Sequence, residues 1–197
     1  MKLIDSKTYL NLAKSYAGES QARNRYNFME YGARNEDYVA MAEMIQQVAY
    51  NEFNHARMFY SFIQTACSDT ITNIDVCSGY PFREKWNLLD NLKFAMEDEE
   101  NEATTIYPAY AKTAQEEGFT DIANFYKNLI QVENCHRMLF EQLYNQMKSG
   151  TLYKKSNPVK WKCQGCGYEH TAKEAFSVCP ICQAKQGWAM LKIEDNA

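Results

Sequence analysis

The sequence predicts an all-α four-helix bundle followed by a small four-cysteine metal domain. Three observations carry this. Residues 5 to 149 are rich in Ala, Glu, Gln, Met and Tyr and hold only two prolines, Pro81 and Pro108. Apolar residues recur there at three- and four-residue spacing in four successive runs. After Gly150 the composition turns to Lys, Ser, Asn and Pro, then to two C-x-x-C pairs, Cys163/Cys166 and Cys179/Cys182.

Breaks near Gly32 to Asn35, across Cys67 to Phe82 and at Gly118 divide the first part into helices of roughly 25 to 33 residues. Gly118 suits the left-handed position after a helix, and Thr120 an N-cap. Short connections make neighbours antiparallel, while the 67–82 stretch is long enough to cross the bundle. The first stripe runs Thr8, Leu12, Ser15, Glu19, Ala22, Tyr26, Met29, Ala33. The second runs Ala42, Ile45, Ala49, Glu52, Ala56, Phe59, Ile63, with His55 beside it. The third runs Leu88, Leu92, Ala95, Glu99, Glu102, Ile106, Ala109, Thr113. The fourth runs Ile122, Tyr126, Leu129, Glu133, His136, Phe140, Leu143, Met147. The expected divisions are 1–149 for the bundle, 150–160 for a linker and 161–197 for the tail domain.

Every stripe is interrupted near its middle by carboxylate. In the acid run from Glu97 to Glu102, helical phase sends Glu99 and Glu102 inward. Glu97, Asp98 and Glu100 fall toward solvent or a helix edge. A buried carboxylate without a partner costs several kcal/mol. Arg23 and Arg25 could neutralise one or two. Five inward glutamates with two histidines need more, and bound cations supply it.

Other bulk properties narrow the function classes. Net charge is −4 with a pI near 5.5, and no block of Lys and Arg stands out, which argues against nucleic acid or an anionic membrane as partner. The N-terminus lacks an apolar signal core, and no run approaches the ~18 apolar residues of a membrane span. A soluble, cytoplasmic protein is expected. Cys67, Cys77 and Cys135 read as free thiols, with Cys135 turned off the metal face.

The ligand spacing is specific. Glu52-x-x-His55 and Glu133-x-x-His136 come from helices two and four, and single glutamates from helices one and three. This is how ferritin-like di-iron and di-manganese bundles hold their metals. Oxygen donors with imidazole suit Fe or Mn better than a four-coordinate Zn site. Glu19, Glu52, Glu99 and Glu133 balance two Fe(II). Two Fe(III) carry more charge, which Glu102 can offset on oxidation, with neutral His55 taking the vacated position on reduction. In the tail, four thiolates in two knuckles make a tetrahedral site for Fe or Zn.

ESQARNRY around Glu19, NEFNHA around Glu52 and His55, ENEATTIYP, ENCH and the C-x-x-C-G-Y and C-P-x-C tail together resemble the rubrerythrin family over nearly the whole chain. The resemblance implies a ferritin-like bundle with two non-haem irons held at the seven positions Glu19, Glu52, His55, Glu99, Glu102, Glu133 and His136. It places Tyr26 and Tyr107 near that site, and implies a third iron in a rubredoxin-like centre of Cys163, Cys166, Cys179 and Cys182. The implied activity is reduction of hydrogen peroxide by a homodimer, with electrons from a donor such as rubredoxin or an NAD(P)H-dependent reductase. A 150–160 linker behaving as random coil would span about 17–20 Å and keep the tail centre close at hand. Asp98 stands where the family often has glycine, and the 67–82 connection is longer than usual. The alternatives are a ferritin-like ferroxidase or iron-storage protein, and a bundle scaffold carrying a structural zinc ribbon.

Overall fold

The computed structural model describes residues 1–67, 70–77 and 87–191. Residues 68–69 and 78–82 of the expected 67–82 crossing, with Pro81, and the end of the tail domain lie outside these residues. Four long helical segments pack into a bundle of two hairpins. Helix α1 (Lys7–Asn35) lies against α2 (Val39–Thr65), and α3 (Leu88–Asn101) with α4 (Tyr107–Glu116) lies against α5 (Thr120–Lys148).

The helix ends follow from local chemistry. Ser6 caps α1 by accepting from the Tyr9 amide, and Asn87 caps α3 through the Asp90 amide. From α4's end, the Glu117 carboxylate accepts the Lys7 and Thr8 amides and the Thr8 hydroxyl, stitching the first helix to the third segment. At the α4–α5 corner Gly118 takes φ +86°, as its position predicts. Thr120 does not cap; Phe119 holds that place, and its amide bonds back to Ala114 O at 2.8 Å. The α1–α2 corner turns at Asp37, with φ +64°, slightly later than expected.

The third segment departs from plain helix. Between α3 and α4, residues Glu102–Ile106 form a π turn, closed by the Tyr107 amide on Glu102 O. A π turn holds one residue more than an α turn. The inward stripe therefore slips by one: after Glu99 the buried positions are Ala103, Tyr107, Ala111 and Ala114, not Glu102, Ile106, Ala109 and Thr113. Glu102 is only half-buried as a result.

Two apolar clusters fill the bundle on either side of a carboxylate layer. One gathers Tyr26, Met29, Ile45, Leu92 and Phe140; the other Leu12, Phe59, Tyr107, Ile122 and Tyr126. The tail is a three-stranded antiparallel sheet, ordered β2-β1-β3, of β1 (Lys154–Cys163), β2 (Glu169–Glu174) and β3 (Ala189–Leu191). The expected coil linker is thus corrected, since β1 begins inside it. Pro158, which cannot donate to a ladder, falls in the irregular register between Lys154 and Val159. The tail rests against the α1–α2 corner. Lys185 Nζ meets Asp37 Oδ2 at 2.6 Å, and the Tyr38 and Tyr153 rings stack 6.4 Å apart.

Candidate metal centres

Helices α1, α2, α3 and α5 each bring a buried glutamate to one level: Glu19, Glu52, Glu99 and Glu133, each at most 1% exposed. His55 and His136 stand one turn after Glu52 and Glu133, as the i, i+3 spacing requires. Their rings stack with centroids 5.8 Å apart. Two four-donor groups result, each with its ligand atoms within 4.8 Å of one another. The first is Glu19, Glu52, His55 and Glu133; the second is Glu52, Glu99, Glu133 and His136. Glu52 and Glu133 belong to both, as bridging carboxylates between two cations would.

Glu102 stands outside both groups. On the π turn it is near enough for its Oε1 to lie 4.0 Å from where a Cβ on Gly18 would be. Asp98, read from the sequence as an edge residue, pairs with Arg25 across the α1–α3 seam. Arg23 lies over the Phe53 ring at 4.6 Å. The two arginines named as possible partners of the inner glutamates are therefore both engaged elsewhere.

What remains in the layer fits cations. Glu19 Oε2, Glu52 Oε1, Glu99 Oε2, both oxygens of Glu133 and His136 Nδ1 are buried with no hydrogen-bond partner among the described residues. Such atoms are costly unless something coordinates them. Burial, then neighbouring carboxylates, push Glu19 well above the ordinary carboxylate range and Glu99 to about 8. Burial also opposes ionisation of Glu52, but the two imidazoles beside it hold it down to about 2. Burial opposes a charged His55 as well, yet Glu19 and Glu52 lift it to about 11, and Glu133 and Glu52 raise His136 likewise. Without metal, the layer substitutes protons for cations. Two phenols complete it. Tyr26 donates to Glu99 Oε1 at 2.5 Å, and Tyr107 donates to Glu19 Oε1. Burial and the nearby carboxylates keep both phenols protonated, as donors.

The tail gathers Cys163, Cys166, Cys179 and Cys182 into one group. The Cys163–Cys182 and Cys166–Cys179 sulfurs are 3.7 and 3.6 Å apart, too far for a disulfide. A tetrahedron with metal–sulfur bonds of about 2.3 Å has edges of about 3.8 Å, so the spacing matches one ion. Cys163 and Cys179 are buried, whereas Cys166 and Cys182 face outward. Gly167 at φ +78° and Gln183 at φ +62° make the two knuckle turns. His170 stacks on Tyr168 instead of joining the sulfurs. Cys67, near the Tyr9 hydroxyl at 3.6 Å, and the exposed Cys77 and Cys135 belong to no donor group among the described residues.

One polar neighbour of the layer escaped the sequence reading. Asn51 reaches His136 Nε2 at 3.1 Å. Its only sequence signal is its place beside Glu52.

Comparison with known proteins points the same way. The family model described as Rubrerythrin matches residues 11–144, and that described as Rubrerythrin, rubredoxin-like domain matches residues 161–187. Rubrerythrin of Clostridium perfringens (strain 13 / Type A) is 37% identical over 186 residues, 94% of each chain. Rubrerythrin of Porphyromonas gingivalis (strain ATCC BAA-308 / W83) is 33% identical over 183 residues, 93% of this chain and 88% of its own. A solved structure of nigerythrin in a mixed-valence state shares the fold, with TM-score 0.62 and 24% identity over 95% of this chain and 90% of that one.

Proposed function

This chain belongs to the rubrerythrin family, and from that premise we propose that it reduces hydrogen peroxide to water in the cytoplasm. The bundle carries a ferritin-like di-iron site with glutamate and histidine ligands, and the tail a rubredoxin-like four-cysteine site. The observation that supports the reading best is the pair of donor groups sharing Glu52 and Glu133, in a chain that also brings four thiols together. A ferroxidase or storage role gives the four thiols no task.

Glu19, Glu52, His55, Glu99, Glu133 and His136 would hold the two irons, and Cys163, Cys166, Cys179 and Cys182 the third. Two ferrous ions would supply together the two electrons that, with two protons, turn one peroxide into two waters. The residues do the rest. Tyr26 and Tyr107 orient the terminal carboxylates Glu99 and Glu19 by donating to one oxygen of each. The apolar clusters on either side exclude water from the layer. Glu102, on the π turn and outside both donor groups, would supply a further carboxylate when the charge of the irons rises.

The tail thiolates would relay electrons one at a time from an external donor such as rubredoxin or an NAD(P)H-dependent reductase. Along its own chain, the tail abuts Tyr38, fourteen residues before Glu52, or roughly 21 Å at 1.5 Å per residue. That span favours delivery to the bundle of the partner in a homodimer. Exposed Tyr16, Phe28, Tyr31, Tyr50, Phe53 and Tyr60 on α1 and α2 are the residue types that interfaces collect. No helix among the described residues is long and apolar enough to cross a membrane.

Stopped-flow mixing of the anaerobically reduced protein with peroxide tests the activity. Oxidation of two ferrous ions per peroxide, much faster than with O2, is expected. Oxidation by peroxide no faster than by O2 would remove the peroxidase assignment.

A further inference from the structure

His136 presents Nδ1 to the carboxylate layer, 3.0 Å from Glu52 Oε1, 3.0 Å from Glu133 Oε2 and 3.6 Å from Glu99 Oε2. Its opposite nitrogen, Nε2, lies 3.1 Å from the Asn51 side-chain amide nitrogen. An imidazole that gives its Nδ1 lone pair to a cation keeps its hydrogen on Nε2, and that N–H needs an acceptor. Turning the Asn51 amide by 180° exchanges its nitrogen and oxygen without changing its shape. Oδ1 then accepts from His136.

The turned amide also keeps its second partner. Gln47, one helical turn earlier and exposed, shares a 3.2 Å hydrogen bond with Asn51, its Nε2 meeting Asn51 Oδ1. If both amides turn, Asn51 Nδ2 donates to Gln47 Oε1 and nothing is lost. The pair accommodates a hydrogen on His136 Nε2 as readily as a lone pair.

His55 meets the layer in the same way. Its contacts with Glu19, Glu52 and Glu133 all run through Nδ1. The position on α5 that matches Asn51, one residue before the bridging glutamate, is Val132, which has no hydrogen-bonding side chain. We propose that Asn51 is a positioning residue that holds the ring of His136 as a metal ligand by accepting its Nε2 hydrogen. The inference rests on the di-iron reading and adds to it the residue that sets the tautomer of one ligand histidine.

The test follows iron release from the reduced full-length holoprotein to a ferrous chelator, with four-thiolate absorbance as an internal control of folding. Asn51→Leu removes the acceptor and excludes a substituting water. It is expected to weaken the hold on one bundle iron by about 10–100-fold, the usual effect of losing such a partner. Asn51→Asp, which keeps an acceptor in place, is expected to stay near the parent. Asn51→Met, also apolar and without an amide acceptor, replaces the leucine variant if that one does not fold, with the same loss expected. Release from Asn51→Leu as slow as from the parent overturns the inference, and so does equal loss in Asn51→Asp, which would mean that shape matters and not the acceptor. A parent chain holding fewer than two bundle irons overturns the di-iron reading itself, a distinguishable failure.

Discussion

The phenol of Tyr107 donates its hydrogen to Glu19 on the far side of the bundle. Tyr26 does the same for Glu99. Tyr26 stands seven residues after Glu19, whereas Tyr107 stands eight after Glu99, and the π turn at Glu102–Ile106 absorbs the difference.

Deleting Thr104 should therefore turn the π turn into plain helix, with Tyr107 seven residues after Glu99 and still facing Glu19. The deletion is expected to retain the bundle iron and leave the four-thiolate spectrum unchanged. Tyr107→Phe keeps the phase and removes only the hydrogen bond, so it should retain both irons at a cost of about 1–3 kcal/mol in stability. Denaturant titration and iron analysis of the two variants distinguish them. Iron loss on deletion would contradict the account of the π turn as compensation for one extra residue.

The metal-free protein should lose stability as pH rises. His55 moves from 6.5 to about 11 and Glu99 from 4.5 to about 8 on folding. Groups whose pKa rises on folding stabilise below their unfolded values, and the contribution fades as pH climbs through the folded ones. Glu52, held at about 2, works oppositely and withdraws support only as pH falls from 4.5 toward 2. The melting temperature without metal is expected to fall between pH 6 and pH 9. The iron-loaded protein, its imidazoles already deprotonated by metal, should change less over that range. Parallel pH profiles with and without iron would contradict the account.

Neighbouring acids on α3 should respond unequally. Asp98→Asn leaves Arg25, with a side chain 12% exposed, short of its partner, at an expected cost of about 1–3 kcal/mol. Glu100 is exposed, and Glu100→Gln should stay within about 0.5 kcal/mol of the parent. Urea denaturation of both variants makes the comparison.

The tail's seat can be loosened at one atom. A Cβ on Gly187 would lie 1.4 Å from the Asp37 carbonyl oxygen. Gly187→Ala should unseat the tail from the α1–α2 corner without disturbing its four sulfurs. Faster proteolytic cleavage near 149–154, with unchanged thiolate absorbance, is the expected result. Lys185→Ala removes only a pair exposed to solvent on both sides and should have little effect.

Much of the donor layer was legible because α1, α2 and α5 are uninterrupted helices. Over such lengths the 3.6-residue period projects Glu19, Glu52, His55, Glu133 and His136 to one side without further information. The third segment misled that projection beyond Glu99. Pro108 carried the missing signal: with no N–H it cannot complete the ordinary ladder, and Thr104, Thr105 and Ile106 before it are β-branched. The role of Asn51 and the Arg25–Asp98 pair depend on which helix lies opposite, which no single-helix pattern contains. The strand at 154–160 was hidden for a similar reason, since its partner β2 lies beyond the first cysteine knuckle.

The two donor groups divide unevenly between the two hairpins. Three donors of the first come from α1–α2 and one from α5; three of the second come from α3–α5 and one from α2. Neither hairpin alone owns a complete set. Each iron is then a cross-strut that can be fitted only after the halves have met, and one that resists their separation afterwards. Iron binding should slow the opening of the bundle more than it speeds its closing, so that supply of the metal sets the lifetime of the fold as well as its chemistry.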